Sequence, residues 1–277
     1  MKTCANPFAQ FLHAFMQRDP RASMMAREIA MVINPEPADD PKGRFWRDGE
    51  REYITCGLLA LAEFTPEDCT PPGVCRLLSS VSMLDDALTA SAQARGALGD
   101  LATRIISRRK SNPEHAEDFL NTARRRVEIY EEGGLLKDVG EGDDFDHASI
   151  KNGNMAVFIV GSQEGGDVLA PNTMLHLTAF LQATKTKPAA PVRFIVDEAT
   201  NSPVQSLVEE FTKLRAYGGR IQFIAQAESE IRKKFGDKSA ETVETQCGVK
   251  QIMGVSKHED AERLSKALGM GPGVAET

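Results

Sequence analysis

From residue 155 onward the chain alternates short apolar runs with helix-patterned stretches, and few folds accept that order. The runs are 155–160 (MAVFIV), Val192–Val196 (VRFIV), 221–225 (IQFIA) and 251–255 (QIMGV). Short, nearly unbroken apolar runs suit strands covered on both faces of a parallel sheet. Between them lie a helical stretch at 174–183 and one carrying Val204, Leu207, Val208, Phe211 and Leu214 at helical spacing. Ser202-Pro203 caps that second helix, and Gly218-Gly219 ends it. A polar helical stretch precedes the fourth run. After it, Ser256 with Glu259 forms a capping box for a last helix carrying Ala261, Leu264 and Leu268. The order β-α-β-α-β-α-β-α with right-handed crossovers predicts one α/β unit, a parallel sheet with flanking helices.

The first half has a different texture. Residues 7–137 are helical in pattern, almost without β-rich runs. Arg44–Phe64 places Trp46, Tyr53, Ile54, Leu58 and Leu61 close to one helical face. Thr70-Pro71 reads as a cap followed by proline at the first helical position. Residues 85–110 contain few breakers and predict one long helix. Pro113 interrupts it, and a further helix is expected over 114–131. The polar, glycine-bearing stretch 138–144 reads as a joint. The expected division is therefore an all-helical domain at 1–138 and an α/β domain at 139–277.

Composition narrows the class. With 41% hydrophobic and 26% charged residues the chain is an ordinary globular sequence, and its net charge of −7 argues against a surface coated for nucleic acid. Cys4, Cys56, Cys69, Cys75 and Cys247 are odd in number and match no zinc spacing, so reduced thiols in the cytoplasm are expected. No apolar run approaches a transmembrane helix, and the first residues lack a signal-peptide core. The chain reads as soluble.

The chemistry concentrates where the second run stops. Phe194-Ile195-Val196 gives way to Asp197-Glu198. In parallel α/β sheets ligands bind beyond the carboxyl ends of the strands. There Asp197 would hold magnesium through water and Glu198 would polarise an attacking water; the plainer alternative is two acids opening a surface loop. Gln226, after the third run, would sense a γ-phosphate or merely cap a loop. Arg215 would act as an arginine finger on a neighbouring subunit's nucleotide, or answer the macrodipole of its own helix, and spacing alone favours the latter. Arg104, Arg108, Arg109 and Lys110, with Arg124, Arg125 and Arg126, would contact DNA phosphates or form a solvated face. The five histidines show no ligand spacing, so no histidine metal site is expected. A Gly-x-x-x-x-Gly-Lys-Ser/Thr loop occurs nowhere in the sequence.

With these residues on the page, the chain resembles the cytoplasmic ATPase domain of TraG-like coupling proteins of conjugative type IV secretion. The segment 194–201 (FIVDEATN) is similar to the family's Walker B motif. Leu214-Arg215-Ala216-Tyr217-Gly218 is similar to its arginine-to-glycine stretch, and Gln226 falls on its third-motif glutamine. Ser265 to Gly269 matches the ending of the last helix. Asn6-Pro7-Phe8, Phe45-Trp46 with Arg51, and Phe145-Asp146 match in family order. Ala199 stands where the family usually has an aromatic, and Gln246-Cys247 where it has Asn-Cys.

The resemblance implies the carboxy-terminal half of a RecA-like P-loop NTPase core plus an all-helical insertion domain. It further implies that the phosphate loop and transmembrane helices lie upstream of Asn6-Pro7 in the family, so the chain is expected to be a fragment or truncated gene product. The intact family protein is expected to be a homo-hexameric DNA translocase at the inner membrane. It would use ATP and magnesium, link relaxase-bound DNA or effector protein to secretion-channel components, and face DNA or the relaxosome with its helical domain. For this chain alone little or no ATP hydrolysis and no bound cofactor are expected. A non-catalytic recruitment module, or a gene remnant, is the alternative.

Overall fold

The computed structural model describes residues 5–36, 42–142, 144–160, 166–197, 208, 210, 213–255 and 258–269. Its first half is a helical bundle built round α3 (Arg44–Phe64), with α1 (Ala9–Met16), α2 (Ala22–Ile33), α4 (Pro71–Ser79), α5 (Val81–Ser91), α6 (Ala97–Ser111), α7 (Pro113–Val127) and the short α8 (Lys137–Gly140). From Tyr53 to Ala62 every residue of α3 is buried. A helix apolar on all sides belongs at the centre of a bundle, and α2, α4, α6 and α7 all pack on it. Gly49 lets α7 approach closely, since a Cβ there would meet the Phe119 ring at 2.7 Å.

Local chemistry sets the helix ends. Thr70 Oγ1 accepts the Gly73 N–H at 3.1 Å, with Pro71 opening α4, and Asn112 Oδ1 accepts the His115 N–H beside Pro113. Upstream, Asn6 Oδ1 accepts the Phe8 N–H while its Nδ2 donates to the Cys69 carbonyl, tying the chain's entry to the loop before α4. At the far end of α2, Asn34 Nδ2 donates to Glu50 and the Asn34 carbonyl accepts from Arg51 Nε.

The single helix expected over 85–110 is two helices. The chain breaks between Ser91 and Ala97, where Gly96 takes φ +83°. α5 already ends at Ser91, and Gly96 is the residue from which α6 starts; the surrounding Ala and Leu pattern did not announce the turn between them. The last expected helix of this half stops at Val127 and closes with a 3-10 turn, Glu128–Tyr130.

Beyond the joint, a 3-10 turn (His147–Asn152) leads to the long α9 (Gly166–Thr184), β1 (Val192–Val196), a 3-10 turn (Leu214–Tyr217), β2 (Gly219–Phe223), α10 (Glu228–Phe235), α11 (Asp237–Gln246) and α12 (His258–Leu268). β1 and β2 pair in parallel, Val192 with Gly219 through Val196 with Phe223. Among the described residues the sheet has these two strands. The four-strand expectation is corrected at its outer members: residues 155–160 and 251–255 are irregular and exposed, with Phe158 and Val160 86% and 87% accessible. An apolar run supplies side chains for burial, but a strand also needs a neighbouring ladder for its backbone, and neither run pairs with the outer edge of β1 or β2. Ser256 and the 202–207 cap lie outside the described residues. α9 packs on α1 and α2, and one apolar cluster runs without a break from Phe8 through α3 to Phe180, Phe194 and Leu214.

Candidate functional site

The two strands create the edge where the site falls. Val192 and Phe194 point into the core while Arg193 and Ile195 face out, so β1 is buried on one face. The Ile224 N–H donates to the Val196 carbonyl at 3.0 Å, carrying the ladder one step past the strands. Asp197, exposed, therefore leaves β1 beside Ile224, and Gln226 follows two residues later at the same carboxyl edge. Glu198 lies outside the described residues. Asp197 and Gln226 thus share an edge of a parallel pair, the position from which α/β sheets address ligands.

Arg215 is placed elsewhere. It lies on the 3-10 turn before β2, whose first residue pairs with the first residue of β1. It is thus at the amino edge, one strand length of roughly 15 Å from Asp197. With Gly218, Gly219, Arg220 and the 189–191 backbone it lines a shallow cleft. Gly218 has φ +83°, and a Cβ there would come 2.7 Å from the Ala190 carbonyl oxygen. The arginine-to-glycine stretch is therefore a tight turn that only glycine completes, and within one chain Arg215 and Asp197 cannot grip the same phosphate.

The basic residues of the helical half are largely engaged with their own chain. Arg108 pairs with Glu52 at 2.6 Å and lies over the Phe119 ring at 5.3 Å, while Arg104 reaches the same Glu52 at 3.6 Å. Arg109 pairs with Asp85, and Arg124 donates to the Leu78 carbonyl and to Asn121. Lys110, Arg125 and Arg126 are exposed. Phe45 and Trp46 form an edge-to-face group with His115 and Phe119 and remain 58% and 40% accessible.

One arrangement has no sequence signal. His147 and His176, 29 residues apart, stack at 5.4 Å between ring centres with Nε2 of one 3.1 Å from Nδ1 of the other. Only the docking of the 3-10 turn on α9 brings them together. Among the described residues no group of three His, Cys, Asp or Glu side chains is placed to hold a metal, and no helix is long and apolar enough to cross a membrane.

Residues 191–274 match the family model described as the TraM recognition site of TraD and TraG. The fold matches solved structures of the plasmid coupling protein TrwB. With the GTP analogue GDPNP bound, the TM-score is 0.60 at 16% identity over 81% of this chain and 51% of that one. With ADP and Mg2+ it is 0.58 at 18% over 81% and 52%, and for the unbound monoclinic form 0.59 at 18% over 81% and 50%. At such identities the likeness establishes the fold, and the chain spans about half the length of these relatives. No curated protein sequence matches it significantly. The fold is thus similar to that of the coupling protein TrwB, and the β1–β2 edge lies within the segment similar to TraD and TraG. The likeness to TraD and TraG is confined to residues 191–274.

Proposed function

We propose that this chain forms the Walker B side of a coupling ATPase that hands relaxase-bound DNA, or effector protein, to a type IV secretion channel. The observation that carries the reading is the carboxyl edge. Asp197 at the end of β1 and Gln226 beyond β2 share it, inside the 191–274 segment matched to TraD and TraG. In the intact assembly Asp197 would hold magnesium; an exposed carboxylate at a strand end suits an ion that keeps several waters and shares its shell with phosphate oxygens. Glu198 would activate the attacking water, and Gln226 would read the γ-phosphate. Arg215, on the opposite edge, serves only a neighbour's nucleotide, which supports the trans reading and a ring of subunits, a homo-hexamer in the family. RecA-like topology, with 1–138 as an insertion domain and 139–277 as the half core, belongs to this proposal, as does an inner-membrane-associated, cytoplasmic placement of the whole protein.

Without a phosphate-cradling loop and its lysine, the chain by itself lacks the main contacts to the β- and γ-phosphates. ATP turnover by the purified chain is expected to be at background, and Glu198→Gln is expected to change nothing. Turnover that this substitution abolishes would overturn the reading of an incomplete site.

A second reading has its own support. The matched segment is described by its recognition of TraM, and a chain of net charge −7 with no phosphate loop suits recruitment of a relaxosome protein. Capture of relaxosome proteins by the full chain, unchanged by Asp197→Asn and Glu198→Gln, would favour recruitment without catalysis.

A further inference from the structure

The turn His147–Asn152 is held to the helices at three points. Asp146, which caps it through the Ala148 N–H, accepts Gln10 Nε2 of α1 at 3.2 Å. Lys151 Nζ donates to the carbonyl and hydroxyl of Thr186, just past the carboxyl end of α9. Between them His147, fully buried, lies on His176 of α9, with Phe145 and Phe180 closing the cage at 5.8 and 4.7 Å from its ring. His147 Nδ1 has no partner. A buried lone pair costs less than a buried, unpaired N–H here, so we assign the His147 proton to Nε2, donated to His176 Nδ1.

We propose that this imidazole stack is a proton-sensitive clasp, closed while both rings are neutral, that fastens residues 145–152 and the exposed apolar run behind them to α9. A proton on His147 puts an N–H at Nδ1 in an aromatic cage with no acceptor. A proton on His176 Nδ1 removes the acceptor of the Nε2–H bond. Either charge sits against another imidazole. Asp146 is the one acid acting on His147, and its Oδ1 already accepts two hydrogen bonds. Among the described side chains the other elements packed on the turn bring little compensation: α1 carries only the exposed His13, and α9 offers His176 itself.

Burial holds both imidazoles down to about 4, the neighbouring ring lowering His147 further and Asp146 opposing. The closed form thus binds fewer protons than the open one. Closure is complete above the ordinary histidine range near 6.5 and is lost as pH falls from there toward 4. Opening would free residues 145–160, including the run ending in Phe158 and Val160, without melting α3.

Hydrogen exchange of the full-length chain, corrected for intrinsic rates, tests this. Protection of the 148–152 amides is expected to fall roughly tenfold or more between pH 7 and pH 5, while the α3 amides stay constant. His147→Phe keeps the cage and removes one of the two titrating rings, and is expected to weaken that dependence to the part His176 contributes. Constant protection at 148–152, loss in step with α3, or unchanged dependence in His147→Phe would each overturn the clasp. If that variant fails to fold, the wild-type profile decides alone.

Discussion

Single atoms settle more here than residue types do. Gly218 occupies a left-handed turn with a carbonyl where a Cβ would go. Gly218→Ala should therefore cost about 1–3 kcal/mol, from the left-handed backbone and the displaced Ala190 carbonyl, read as a lowered urea midpoint. A loss under about 0.5 kcal/mol would mean that the turn relaxes and that Arg215 owes its place to something else. The cysteines make a second case. Cys56 and Cys69 are buried in the bundle, which pushes both thiols up to about 12, whereas Cys247 is only half-buried. At pH 8, iodoacetamide followed by peptide mass spectrometry should label Cys247 well before Cys56 or Cys69, because the thiolate is the nucleophile and must meet the reagent. Equal labelling would mean that the bundle opens on the same timescale.

Elements were legible in the sequence in proportion to how local their determinants are. The α3 span and the Thr70 cap could be read directly, because periodicity and a side-chain oxygen act within a turn or two. The break between α5 and α6 could not, since the Ala-rich stretch keeps a helical composition through residue 95. The β1 run ending in Asp197 was legible too, and so was its parallel partner. Runs 155–160 and 251–255 are largely apolar, as β1 is, but pair with no strand among the described residues, and composition does not encode a neighbour. The site divides the same way: Asp197 and Gln226 follow from strand ends, while Arg215's place on the opposite edge and the meeting of His147 with His176 depend on packing. Among the elements α3 is the keystone. Leu58, fully buried at its centre, should cost about 2–5 kcal/mol as Leu58→Ala, through lost transfer energy and the cavity left behind. Thermal unfolding by circular dichroism would show it, and a change under about 1 kcal/mol would mean that the bundle collapses round the gap.

At the scale of the whole molecule the apolar core crosses the joint. Leu175, Phe180 and Leu181 of α9 share one cluster with Phe11 of α1 and Ile29 of α2, and Gln182 donates to Glu28 across the same seam. A proposed boundary at 138/139 is thus a boundary of topology laid over continuous packing. Each large side chain buried at the seam contributes about 1.5–3 kcal/mol. A chain ending at residue 138 would leave the α1–α2 face uncovered. Urea unfolding followed through Trp46, the sole tryptophan and a reporter on α3, should then give a lower midpoint for residues 1–138 than for the full chain, by several kcal/mol. Equal midpoints would mean that the helical bundle is energetically independent, and that it can move against the β1–β2 edge without unfolding anything. A lowered midpoint would mean the reverse. The bundle and α9 would then form one body, and any movement of the β1–β2 edge would reach the helical half through α9 as a displacement of the whole.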